Sequence, residues 1–213
     1  MMPKEFIQTL RLLPIVVLLL TATGCKIDID MVHCEGLIGT PWSNEKLGSL
    51  EGYWLENGEP KENGSQRVIY RLHVDSDRNG LKYQEIDDPR MPRPLDKSAP
   101  LIRLSSLDSV DLVFLTAPDD SQHTILLGIL ERPDEDNLSL RLAVAKSFRE
   151  QIKNGGLDGE IRTPYLDDTE PDESEILKTT LRATEEQLLK LIQDDGDKSL
   201  FEPPMEYLKR IKK

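Results

Sequence analysis

The chain has 213 residues and carries 27 Lys and Arg against 39 Asp and Glu, a formal net charge of −12. A chain this acidic is repelled by nucleic acid and by anionic membrane surfaces, so nucleic-acid binding is set aside. The length suits one domain, large enough to bury roughly 70% of the surface its unfolded form would expose.

Lys4 and Arg11 around a single Glu5 give a weakly basic start, and Leu12 to Leu20 then run for nine residues without a polar side chain. That fits the apolar region of an export signal, since a membrane-spanning helix needs roughly twice as many residues. Ala22-Thr23-Gly24-Cys25 follows. It resembles the lipobox of bacterial lipoproteins, with Ala22 where Leu is commonest. The resemblance implies that residues 1–24 are a signal peptide, that cleavage falls between Gly24 and Cys25, and that Cys25 carries a thioether-linked diacylglyceryl group with acyl chains of the palmitate class. Two or three such chains hold a protein on a membrane effectively permanently. Lys26 stands where an Asp favours inner-membrane retention, which implies the outer membrane, facing the periplasm, where the source has one. Removing residues 1–24 takes away two basic side chains and one acidic one, leaving 25 against 38 and a net charge of −13. An acylated Cys25 cannot form a disulfide, so Cys34, the second of only two cysteines, is left as a linker thiol or, less favoured, an intermolecular partner. Without acylation a Cys25–Cys34 loop becomes possible.

Residues 25–48 show no sustained period and contain Gly36, Gly39, Pro41 and Gly48. They are expected as a lipidated tether, with Trp42 docking on a single β-rich domain spanning 49–213. Arg67 to Val74 alternates, with Val68, Tyr70, Leu72 and Val74 on one face, and Leu138 to Val144 repeats the period of two. Gly52 to Glu56, Leu81 to Ile86, Leu101 to Leu104, Val110 to Leu115 and His123 to Leu130 complete seven expected strands. Short turn-rich links such as Asn79-Gly80 require antiparallel neighbours. The fold class is therefore mainly β with two short helices, an antiparallel meander curled into a barrel or sandwich. Residues 87–100, with four prolines, form a long loop outside any ladder. One helix is expected from about Ala145 to Lys153 and another over 184–195, opened by the capping box Thr184-Glu185-Glu186-Gln187. Between them Ile176 to Leu181 is expected as an eighth strand that closes the sheet. The basic tail, with Met205, Leu208 and Ile211 spaced by three, is expected to dock on the domain in preference to anionic lipid.

Asp75-Ser76-Asp77-Arg78-Asn79-Gly80 opens like a calcium loop, but position twelve is Ile86 and not Glu, so a hairpin turn is expected. Six carboxylates within 166–175 read as a solvated loop, and His33, His73 and His123 lack ligand spacing, so no metal is expected. Ser43-Asn44-Glu45-Lys46 has the Ser-x-x-Lys spacing of penicillin-recognising enzymes without their companion motifs. No catalytic residue and no cofactor are assigned. Gly52-Tyr53-Trp54 on the first strand of the domain resembles the Gly-x-Trp signature of lipocalins, although the family's Thr-Asp-Tyr turn is absent and no Arg is matched to its closing position. The resemblance implies an eight-stranded barrel closed at one end by Trp54. It also implies a non-catalytic module that takes a small apolar ligand among Trp54, Tyr70, Leu72, Leu140 and Leu142. The rival expectation is a structural or assembly protein of the envelope, whose barrel is filled by its own side chains and whose partner is another envelope protein.

Overall fold

The computed structural model describes residues 31–56, 68–86, 94, 100–117, 120–162, 178–194, 200–204 and 208–212. Residues 1–30, with the expected leader and Cys25, the acidic run 166–175 and most of the proline-rich segment 87–100 lie outside them. In chain order the elements are β1 (Val32–Glu35), β2 (Thr40–Pro41), α1 (Asn44–Gly48), β3 (Gly52–Glu56), β4 (Ile69–Asp75), β5 (Gly80–Ile86), β6 (Leu101–Leu107), β7 (Val110–Ala117), β8 (Asp120–Asp134), β9 (Asn137–Leu142), α2 (Ala145–Lys153), β10 (Gly159–Arg162), β11 (Lys178–Leu181), α3 (Glu185–Asp194) and β12 (Leu208–Arg210).

Strands β3 to β9 form the expected antiparallel meander. Strand β12 inserts between β9 and β3, and β8 pairs with β9, so eight antiparallel strands close into a barrel. The alternation of β4 places Tyr70 and Leu72 on the face shared with Trp54, because Trp54 lies opposite Tyr70 and Gly52 opposite Leu72. One apolar cluster draws from all eight strands, including Trp54, Tyr70, Leu72, Leu81, Leu104, Val113, Leu130, Leu138 and Leu208. A cluster fed from the full circumference is the barrel interior.

Strand β8 is 15 residues long, too long for the barrel alone. Its later half, from Gly128, pairs with β9, while Leu126 to His123 pair with β1. Gly128 sits at this fork, where a Cβ would lie 1.9 Å from the carbonyl oxygen of Arg141; any side chain would part the ladder. Beyond β1 the sheet continues through β11, in parallel with β1, to β10. The outer face of this branch carries a second core, where Val32, Cys34, Phe114 and Leu126 meet Phe148 of α2 and Leu188 and Ile192 of α3. The rings of Phe148 and Phe201 meet edge to face at 5.8 Å. Such a pair adds about 0.5–1.5 kcal/mol to the burial itself.

Both expected helices form. The capping box of α3 is reciprocal: Gln187 N–H donates to Thr184 Oγ1 at 3.2 Å, and Thr184 N–H donates to Gln187 Oε1 at 3.0 Å. Three expectations are corrected. From Val32 onward the supposed tether is folded: Val32, Cys34, Trp42 and Leu47 are buried, because glycines and a proline break its period without preventing two short strands and a helix turn. The helix α1 makes three helices among the described residues in place of two. The segment expected to close the sheet at 176–181 lies instead in the side branch as β11. Closure is done by β12, part of the basic tail, which docks on the domain as expected and pairs with both β3 and β9.

Candidate functional site

One end of the barrel is sealed from within. Ser43 N-caps α1, its hydroxyl accepting from Lys46 N–H at 3.2 Å, and the helix drops Leu47 into the interior. The Ser-x-x-Lys spacing is thus a cap and not a nucleophile with its base. Lys46 Nζ reaches Asp111 Oδ1 at 3.0 Å and Ser106 Oγ at 2.9 Å, and lies 3.9 Å from the ring centre of Trp42. The indole Nε1 of Trp42 donates to the same two oxygens at 2.9 and 3.0 Å. This polar knot ties α1 across the end of β6 and β7, and each indole N–H that enters the core has a partner.

Trp54 completes the floor. It is fully buried, and its Nε1 donates to the Leu50 carbonyl at 2.8 Å. The guanidinium of Arg210 lies over its ring at 4.6 Å and donates to the Ser49 carbonyl. An aromatic ring under a cation, with both donors directed at the turn after α1, fastens the first and last barrel strands to the plug. Sequence reading missed Arg210 because it lies far along the chain and nothing in its neighbourhood marks it. The only usable signal is that β12 must pair with β3 at Trp54.

Elsewhere the wall is less tightly packed. Tyr83, Ile102, Leu130 and Leu140 pack on the interior cluster yet are only half-buried. Glu85 shares the inward face with Tyr70, its register partner, and is exposed. Burial pushes the Tyr83 phenol up to about 12, and raises that of Tyr70 further, with the charges of Glu56 and Glu85 adding to the effect. Both phenols are therefore neutral at physiological pH, offering hydroxyl groups inside an apolar enclosure. Of the expected ligand-facing residues, the fold brings Trp54, Tyr70, Leu72 and Leu140 into one interior cluster, with Trp54 in the floor. Leu142 is half-buried opposite Gly128 and does not join it.

The other sequence candidates disperse. Residues 75–80 are the β4–β5 hairpin turn, where Asp75 accepts from Arg78 N–H at 3.2 Å and pairs with Lys82 at 3.0 Å. His73 pairs with Glu51 at 2.6 Å, and among the described residues no three His, Cys, Asp or Glu gather as metal ligands. Cys34 is a core residue and not a linker thiol. Desolvation pushes its thiol up to about 12, although a backbone hydrogen bond from Leu126 works the other way. Among the described residues no helix is long and apolar enough to cross a membrane.

Comparison with protein-family models, with curated proteins and with solved structures finds no match.

Proposed function

We propose that this chain is an acylated lipoprotein of the bacterial cell envelope whose barrel is a non-catalytic cup for a small apolar ligand. The observation that carries the cup is the contrast within its lining. The plugged end is packed solid by Trp42, Leu47, Leu50 and Trp54, each no more than 2% exposed, whereas Tyr83, Ile102 and Leu140 on the same interior cluster are only half-buried. Removing the remaining apolar area from water drives binding at about 25 cal/mol per Å², and the neutral Tyr70 and Tyr83 hydroxyls orient a polar tip. The Ala22-Thr23-Gly24-Cys25 box supports the anchor. Only six residues separate Cys25 from Val32, a reach of at most about 25 Å, so the barrel is held on a short leash.

Titrating the purified chain with an environment-sensitive apolar fluorophore, followed by displacement with fatty acids, tests the cup. Saturable uptake near micromolar concentration supports it, and no uptake there sinks it. The packed lower half favours a second reading, an envelope assembly protein with a filled barrel. Capture of one stoichiometric envelope protein by a chain that takes up no fluorophore selects that reading.

A further inference from the structure

A groove of about 560 Å³ lies outside the barrel floor, where β3 and β4 meet the end of β12. It is lined by Glu51, Gly52, Tyr53, Arg71, Leu72, Arg210, Ile211 and Lys212. Gly52 makes the opening: its φ is +140°, and a Cβ there would meet nothing within 4 Å. The residue that starts the Gly-x-Trp signature stands opposite Leu72, an interior residue that also borders the groove. Ile211 N–H donates to the Tyr53 carbonyl at 2.8 Å and holds the tail along the groove's edge.

The charge of this lining is opposite to that of the molecule. Three of its side chains are cationic and one is acidic, on a chain of net charge −12. Glu51 is engaged with His73, and Lys212 with Asp136 at 2.6 Å. Arg71, on the outer face opposite Tyr53, is half-buried, and its guanidinium makes no hydrogen bond or ion pair with the side chains or backbone of the described residues. The Nε of Arg210 is buried and has no hydrogen-bond partner among them either. The Arg71 guanidinium, set beside Ile211 and the Tyr53 ring with the charge of Arg210 close by, matches an oxyanion joined to an apolar body. Guanidinium forks recognise carboxylate and phosphate alike, and a concave basic lining concentrates anions that the rest of the surface repels.

We propose that this groove is a binding site for an amphiphilic oxyanion, a carboxylate or phosphate ester on a short apolar chain. The site is separate from the interior cup. Its probe is octanoate, titrated into the full chain in nonionic detergent and followed by the fluorescence of the tryptophans, one of which floors the Arg210 contact. The wild type binds octanoate more tightly than octanol by at least about tenfold, and the preference shrinks as salt rises from about 50 to about 500 mM. Arg71→Gln weakens octanoate by about tenfold or more and leaves octanol unchanged. Leu140→Trp, which narrows the interior, removes only octanoate held by the cup and leaves the salt-sensitive octanoate binding that depends on Arg71 intact. Competition separates the sources: phosphatidylglycerol in the detergent displaces octanoate if a phospholipid head group is the resident, and does not if the resident is a soluble carboxylate. Equal affinity of wild type and Arg71→Gln for octanoate, or equal affinity of the wild type for octanoate and octanol, overturns the proposal.

Discussion

Trp54 and Cys34 show how much a single side chain can mean once its surroundings are known. Trp54→Ala removes a fully buried indole, its hydrogen bond to Leu50 and the platform under Arg210, and is expected to cost about 3–5 kcal/mol in denaturant unfolding. A cost under about 1 kcal/mol would mean that the floor does not hold the barrel. Cys34 is 2% exposed with its thiol held protonated by burial, so iodoacetamide should label it only after unfolding. Rapid labelling of the native chain, read by peptide mass, would contradict its place in the core. Gly128→Ala forces a methyl group against the Arg141 carbonyl and should destabilise by about 3 kcal/mol or more. The Gly-x-Trp signal was legible because Gly52 and Trp54 stand only two positions apart in the chain. The cation over the ring was not, because contact between Trp54 and Arg210 exists only after the barrel closes.

Among the elements, those with a strong local period were legible and those held by tertiary pairing were not. Strands β3 to β9 and helices α2 and α3 follow from alternation, turn residues and the capping box. Strand β12 has three residues, too few for any period, and it forms because two barrel edges need a partner. Strand β1 is hidden among Gly36, Gly39 and Pro41, and its pairing with β11 joins segments from nearly opposite ends of the chain. Thr184→Ala in the α3 box should cost about 1 kcal/mol, measured by the same unfolding experiment, with rescue by Ser or Asp. At the β4–β5 turn, burial acts to raise the Asp75 carboxyl, but the hydrogen bond and charge of Lys82 outweigh it and hold the group below the usual carboxylate range. A depressed folded-state value means that the unfolded chain takes up the proton first as pH falls. The stabilisation is therefore full above the unfolded value near about 4 and is lost below it, as pH drops through the folded value. The wild type should lose its stability advantage over Asp75→Asn across that acid window. An advantage that does not change between neutral and acid pH would refute the linkage.

At the scale of the whole molecule, two layers share β6, β7 and β8. The inner face of that wall lines the barrel, and its outer face supports the second core under α2 and α3. This division was not legible from hydropathy, because buried positions fall on both faces of those strands and give a near-continuous apolar run such as Leu112 to Leu115. The same division puts β1, the first described strand, in the side branch and outside the barrel wall. If Cys25 is the membrane attachment, mass spectrometry of the purified chain must find an acylated amino-terminal peptide beginning there, and an unmodified or uncleaved leader would remove the anchor from the account. The cup itself is tested most directly by comparing apolar-fluorophore affinity in two variants, Leu140→Trp inside the barrel and Arg71→Gln outside it. The account predicts that Leu140→Trp weakens uptake by about tenfold or more while Arg71→Gln leaves it unchanged. Uptake that ignores Leu140→Trp, or falls equally in both, would place the ligand somewhere other than the interior.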